Sequence, residues 1–417
     1  MRYCDLTLAY TATSGGIRTY VDQKRKFLAA HPKDTHILIV PGEHDEWVKE
    51  AGQLTVALES PIIPGCAPYR MFTNRAALFD ALVAADPDVI ELGSYFISPK
   101  PAFDFRELKR GRGENCLVSG YFHTDLARAY FGAPVREAFL GHVGRWSETI
   151  AGLGANLGNW VEWGATNYFG NLFSQCDVMF AATEIQAQRL REYGVQDPEI
   201  VPLGTDLQLF HPNKRKQEVR LRLRVDASAK LAIYVGRQDA EKQCQVLVDA
   251  VARLKEENFH LLMIGDGPMH EELLAQANQY DWLHVQPFES NKERLAEYLA
   301  AADVYVTAGA HETFGLAVVE AQASGLPTVG VEAGALIERV PESVGRLGPV
   351  GDAEAMSTNL LHVIQDRERF SANARRHVEQ EGYGWERSFE KLLGIYNRLG
   401  TGSTAVAAER DTAKISS

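Results

Sequence analysis

The chain has 417 residues, 45% hydrophobic and 24% charged, which is ordinary globular composition and enough length for two or three domains with large cores. Its 43 Lys+Arg against 55 Asp+Glu give a formal net charge of -12, which disfavours a nonspecific hold on nucleic acid or on an anionic bilayer through bulk charge. Cys4, Cys66, Cys116, Cys176 and Cys244 have no paired spacing, so neither a disulfide framework nor a zinc site is expected, and a reducing cytoplasm is the simpler location.

Met1 to Leu6 lacks the apolar core of a signal peptide, and no run is apolar enough for a spanning helix, so any membrane contact is expected to be peripheral. Short β-branched or aliphatic runs alternate with helical patterns, the signature of α/β units with parallel sheets. In the first half the expected strands are Asp5–Tyr10, His36–Val40, Val89–Leu92, Leu117–Phe122, Val178–Ala182 and Glu199–Val201. Helices are expected over Arg18–Ala30 and Arg70–Ala85, where apolar residues recur at three- and four-residue steps.

A polar, proline-bearing stretch, His211 to Lys216, follows Pro202-Leu203-Gly204 and marks a domain junction. The pattern then restarts: strand Leu231–Val235, helix Glu241–Glu257, strand His260–Ile264, helix Met269–Tyr280, strand His284–Gln286, helix Asn291–Ala301, strand Val304–Thr307, helix Gly315–Ser324 and strand Thr328–Val331. The division expected is a Rossmann-like domain over 1–205 and a second over 206–384. A closing helix over 385–399 would pack back on the first domain, and 400–417 would form a disordered tail.

Open parallel sheets bind ligands beyond the carboxyl ends of their strands, so the loops after strands are where function is sought. Gly15-Gly16 leads into the first helix, where a bare backbone can approach an anion; alone, the pair is equally a tight turn. Arg237 and Lys242 stand five residues apart after Leu231–Val235, each offering about 4 kcal/mol of attraction to an anion at 4 Å and an effective dielectric of 20. Pairing with Asp239 or Glu241 is the bland alternative. Gly265-Asp266-Gly267-Pro268 forms a turn after the next strand. Glu312 precedes Phe314-Gly315, and Glu320 follows in an apolar helix, where a carboxylate needs hydrogen-bond donors, from a ligand or from the backbone, to offset its desolvation.

Arg237 with Lys242, Gly265-Asp266-Gly267-Pro268, Glu312 with Glu320 around Phe314-Gly315, Ala323-x-Gly325-x-Pro327 and Leu203-Gly204-x-Asp206 with Phe210 together resemble retaining GT-B glycosyltransferases of family 4. The resemblance implies two Rossmann-like domains with a cleft between them and a nucleoside-diphosphate sugar as donor, a UDP-sugar being favoured, with no cofactor or metal. It places Arg237, Lys242 and Gly16 on the diphosphate, Glu312 on sugar hydroxyls, Phe314, Gly315 and Leu316 facing sugar and β-phosphate, Glu320 on the ribose, and Gly265 among the donor-binding positions. His123, after the strand ending in Tyr121-Phe122, would lie beside the anomeric centre, with Asp125 positioning the acceptor or the histidine. Gln243, Gly309-Ala310 and Gly334-Ala335 depart from the usual pattern and leave loop shape and donor preference open.

The reaction implied is metal-independent hexosyl transfer with retention, the departing phosphate taking the acceptor's proton and the cations stabilising the leaving charge. Arg106, Lys109, Arg110 and Arg112, followed by Tyr130, Phe131, Phe139, Trp146, Trp160 and Trp163, suggest either a lipid-facing surface or a solvated loop before core helices. The resemblance implies a membrane lipid such as diacylglycerol as acceptor, with a soluble sugar, sugar phosphate or polysaccharide as the alternative. A GT-B epimerase or a non-catalytic sugar-nucleotide binder is the competing class.

Overall fold

A computed structural model describes residues 1–11, 15–64, 67–93, 99–124 and 148–415. The chain divides into two compact units, Met1–Val201 with Phe389–Ser417, and Pro202–Ser388.

The first unit is built on an eight-stranded sheet: β1 (Arg2–Leu6), β2 (Thr35–Gly42), β3 (Glu46–Glu50), β4 (Gln53–Glu59), β5 (Val89–Leu92), β6 (Leu117–Tyr121), β7 (Val178–Ala181) and β8 (Glu199–Ile200). Their order is β3-β4-β2-β1-β5-β6-β7-β8, all parallel except the β3–β4 pair. Ile37, Ile39, Ile90 and Val118 are fully buried between sheet and helices, each such side chain contributing about 1.5–3 kcal/mol of burial.

β1 begins three residues before the expected Asp5 and ends at Leu6, because its register runs from Arg2↔Thr35 to Leu6↔Ile39. Thr7 to Tyr10 instead lead toward helix Gly16–Ala29. The hairpin of β3 and β4 escaped the sequence reading, since its edge strand is charged and largely exposed, and it turns at Ala51 and Gly52, both at positive φ (47° and 79°). The helix expected from Arg70 starts at Arg75, because the Asn74 side chain accepts from the Ala77 amide at 3.0 Å and caps it there.

The second unit carries a six-stranded parallel sheet: β9 (Lys230–Val235), β10 (Phe259–Ile264), β11 (Leu283–Gln286), β12 (Val304–Val306), β13 (Thr328–Val331) and β14 (Gly345–Gly348). The order is β11-β10-β9-β12-β13-β14, so chain progression reverses between β9 and β12. In the first unit the same reversal falls between β1 and β5. Each sheet is thus doubly wound, with a crevice expected at its reversal. Helix Trp385–Ile415 runs past the expected end at Leu399, and its residues from Phe389 onward belong to the first unit.

Candidate active site

The reversal in the second sheet brings the loops after β9 and β12 side by side, and this sets the geometry of the charged residues. Lys242 Nζ lies 2.6 Å from Glu312 Oε1, with 17% and 22% of the two side chains exposed. Burial works to lower the Lys242 pKa, but Glu312, joined by Glu241 and Asp239, outweighs it and raises the value, so the ammonium stays charged. The helix expected over Glu241–Glu257 is shorter, Cys244–Ala252, followed by a 3-10 turn at Lys255–Glu257. Lys242 therefore lies in the preceding loop, where its amide donates to Asp239 Oδ1 at 3.0 Å, and Gln243 takes a left-handed φ of 49°.

Glycines make this loop pair fit. A Cβ on Gly309 would lie 3.0 Å from Lys242 Cδ, so the bare backbone there leaves room for the lysine stem. A Cβ on Gly334 would come 2.7 Å from the Glu312 carbonyl oxygen, and the Ala335 amide donates to that same oxygen at 2.9 Å. The departures at Gly309-Ala310 and Gly334-Ala335 thus sit directly against Lys242 and Glu312. Gly265 packs still closer: a Cβ would lie 1.9 Å from Gly236 O. Its place in the fold is to let the turn after β10 underlie the loop that carries Arg237 and Lys242, with Gln238 N donating to Asp266 O at 2.9 Å.

Arg237 does not join the Lys242–Glu312 pair. Its guanidinium bonds Asp239 Oδ2 at 2.5 Å and Glu241 Oε2 at 3.0 Å, and 59% of the side chain is exposed. Gly315, at φ 81°, is the left-handed residue before helix Leu316–Ala323, so Leu316 is that helix's first residue. Phe314 is buried beneath Arg339, whose guanidinium carbon is 4.6 Å from the Phe314 ring centroid and 4.6 Å from that of Tyr383. Glu320 is buried on the same helix; burial raises its pKa, and the Lys292 ammonium at 3.5 Å opposes the rise. Lys292 was not anticipated, although its place one residue after the Asn291 cap of helix Lys292–Ala301 was legible.

In the first unit, Gly16 opens helix Gly16–Ala29 after β1, and His123 follows β6. The His123 ring stacks on Tyr121 (centroids 4.4 Å, 14° between planes) and meets the Tyr20 ring edge-on at 5.0 Å. Desolvation pushes its pKa down to about 3, Lys24 lowering it further and Asp5 opposing, so the imidazole is neutral at physiological pH. Asp125 lies outside the described residues.

A buried charge cluster that sequence reasoning missed lies nearby. Lys24, 3% exposed, bonds Asp5 Oδ1 at 2.7 Å and Glu91 Oε1 at 2.9 Å. His36 Nε2 is 2.6 Å from Asp5 Oδ2, and the Tyr20 and Tyr396 hydroxyls donate to Glu91 at 2.9 and 2.6 Å. The available signal was Lys24 itself, which falls in line with Tyr20, Val21 and Leu28 on the buried stripe of its helix.

Of the basic group proposed to face lipid, Arg106 and Arg110 pair with Asp177, and Lys109 pairs with Asp86 and Glu114. Trp163 is 63% exposed, whereas Tyr130, Phe131, Phe139 and Trp146, and the side chain of Trp160, lie outside what is described. Among the described residues no helix is long and apolar enough to cross a membrane.

Residues 215–380 match the family model for glycosyl transferases group 1. The chain is 28% identical over 420 residues to a GDP-mannose-dependent alpha-(1-6)-phosphatidylinositol dimannoside mannosyltransferase of Mycobacterium tuberculosis, covering 99% of this chain and 100% of that one. It is 32% identical over 246 residues to a D-inositol 3-phosphate glycosyltransferase of Nocardiopsis dassonvillei, covering 54% of this chain and 56% of that one. Among solved structures it is similar to a sucrose-phosphate synthase from Thermosynechococcus elongatus, with TM-score 0.71, 21% identity and 96% and 99% of the two chains covered. An Anabaena protein solved in complex with UDP-glucose gives TM-score 0.67 at 16% identity, covering 95% of this chain and 100% of that one. The fold is therefore GT-B, and the second unit carries a stretch that matches group 1 glycosyl transferases.

Proposed function

We propose that the chain transfers a hexosyl group, with retention of anomeric configuration and without a metal, from a nucleoside-diphosphate sugar to a hydroxyl of a polar membrane lipid. The observation that carries this reading is the Lys242–Glu312 pair at the sheet reversal, a cation and a carboxylate held within 2.6 Å by glycine-built loops. Lys242 and Arg237 would stabilise charge developing on the leaving diphosphate, Glu312 would accept hydrogen bonds from the sugar, and Glu320 would accept them from the ribose. Gly16 would offer its amide to the phosphates, and His123 would border the anomeric carbon as a neutral imidazole. The departing phosphate oxygen takes the acceptor's proton as the new glycosidic bond forms on the same face.

The sequence alone favoured a UDP-sugar and diacylglycerol. The relative matched over its whole length is named for GDP-mannose and a phosphatidylinositol mannoside, which favours GDP-mannose and an inositol-bearing lipid. The paired cations of helix Lys100–Gly111 argue against that helix as a headgroup-binding patch, so recognition of the acceptor would rest elsewhere in the first unit. The test is mass spectrometry of products after the full chain is incubated with GDP-mannose, UDP-glucose and a polar lipid extract. A lipid heavier by one hexose is expected. Donor consumed without a glycosylated product would refute transfer in favour of epimerisation or hydrolysis, and nucleotide binding without turnover would reduce the chain to a binding module. Turnover is expected to survive EDTA, and a loss restored by Mg²⁺ would overturn the metal-free assignment.

A further inference from the structure

We propose that Tyr20 is a positioning residue for His123, with the buried Lys24–Glu91 pair fixing the Tyr20 ring in turn. The proposal rests on the reading that His123 borders the reacting centre. A histidine ring has a broad, roughly two-fold torsion about its second side-chain bond, so its orientation has to be imposed by neighbours. Among the described residues, neither ring nitrogen of His123 has a hydrogen-bond partner. What holds it is aromatic packing, with Tyr121 stacked on one face at 4.4 Å and Tyr20 edge-on at 5.0 Å.

Both phenols are themselves tethered. The Tyr121 hydroxyl donates to the carbonyl of Val201. The Tyr20 hydroxyl donates to Glu91 Oε1 at 2.9 Å, and the Lys24 ammonium, bound to that same oxygen, sits 4.6 Å from the Tyr20 ring centroid. Tyr20 also packs on Tyr121 at 5.0 Å and on Phe389 at 5.6 Å. Lys24 is one helical turn beyond Tyr20, so a single helix presents both the ring and the cation that holds it. A buried lysine between two carboxylates is a less favourable way to fill space than an apolar trio. What it adds here is a fixed ring at a position where, among the described residues, no hydrogen bond orients the histidine.

The cluster supplies its own control. Tyr396 also donates to Glu91, at 2.6 Å on Oε2, but its ring packs on Tyr3 and Phe180 and not on His123. Tyr20→Phe and Tyr396→Phe each remove one hydroxyl donor from the same carboxylate. Steady-state transfer is measured in both variants and in His123→Ala, and the His123 ring proton shifts are compared between the two tyrosine variants, using the full chain. Tyr20→Phe is expected to lower kcat by about tenfold or more with donor KM within about twofold, and to move the His123 shifts, because small misplacements of reacting groups are expensive in rate. Tyr396→Phe is expected to leave kcat and those shifts unchanged while lowering the melting temperature comparably. If Tyr20→Phe does not fold, 4-fluorophenylalanine at position 20, which fills the hydroxyl's space without donating, takes its place in the comparison. Equal effects of the two variants, or none from Tyr20→Phe, would overturn the positioning role. Full turnover by His123→Ala would instead overturn the reading on which it rests.

Discussion

Replacing Lys24 by Met removes the one ammonium that touches both Asp5 and Glu91 among the described residues and leaves two carboxylates within a site where every side chain is under 5% exposed. Breaking a buried ion pair from one side typically costs about 3–5 kcal/mol, because the remaining charge loses its compensation. The pH dependence follows from the shifts. In the native protein Lys24 is raised, so its contribution is complete below the ordinary lysine pKa and is lost only as pH rises through the higher folded value. Asp5, which burial raises but Lys24 and His36 hold well below the usual range, contributes stability above the ordinary aspartate pKa that is lost as pH falls. Glu91 is raised by burial despite Lys24 and has the opposite sign: the folded state gains relative to the unfolded as it takes up its proton. Without Lys24 both carboxyls bind protons more tightly folded than unfolded, so the destabilisation is expected to be largest near pH 7 and to shrink toward about pH 5. Urea dependence of hydrogen exchange in β1, β2 and β5 reads the first unit alone. A loss under about 1 kcal/mol, or one equal at both pH values, would refute the electrostatic account.

Three further outcomes are expected. Lys242→Met and Glu312→Gln should each lower kcat/KM by about 10²–10³, and the double variant should fall well short of the product of the two, since the groups touch at 2.6 Å; multiplicative losses would mean they act separately. Gly265→Ala places a methyl group 1.9 Å from the Gly236 carbonyl oxygen and should weaken nucleotide binding while destabilising the second unit by about 1–3 kcal/mol; calorimetric titration with GDP and UDP that matches the unaltered chain would contradict the close packing. The His123 imidazole, pushed down to about 3, should give ring signals that stay in the neutral position from about pH 8 to about pH 5, and a midpoint near the ordinary value of about 6.5 would show that burial and Lys24 do not set its state.

What could be read in advance was what local pattern carries. Val89–Leu92 and Thr328–Val331 were found at their expected bounds because each is a short run rich in β-branched residues, buried throughout and closed by turn residues. In the hairpin Glu46–Glu59, β3 was missed because an exposed edge strand of Glu, Lys and Trp carries no core pattern to detect, whereas β4 does carry one in Leu54, Val56 and Leu58 and was overlooked. β14 was missed for a related reason, since Gly345-Arg346-Leu347-Gly348 is strand only through its register with β13. Of the candidate site, the residue types and their order along the chain were legible. Their pairing was not: nothing in spacing alone says that Lys242 takes Glu312, 70 residues away, while Arg237 takes Asp239 and Glu241.

The reversal of strand order explains why such a distant pair can form at all. β9 and β12 are neighbours in register, Ala232↔Val304 and Ile233↔Tyr305, although 70 residues separate their loops' key groups, so both chains leave the sheet at the same place. One loop leads to helix Cys244–Ala252 and the other to helix Leu316–Ala323, and at such a reversal a doubly wound sheet is expected to leave a crevice between them. Glycine at 309 and 334 leaves the clearance in which Lys242 and Glu312 meet, and Gly265 lets the adjacent strand's loop pack closely on the cation-bearing loop. A side chain at 265 or 334 would press on backbone oxygen, and one at 309 on the Lys242 stem, so each would force the loops apart. The charge pair is thus a property of backbone clearance, set by the glycines as much as by the lysine and the glutamate.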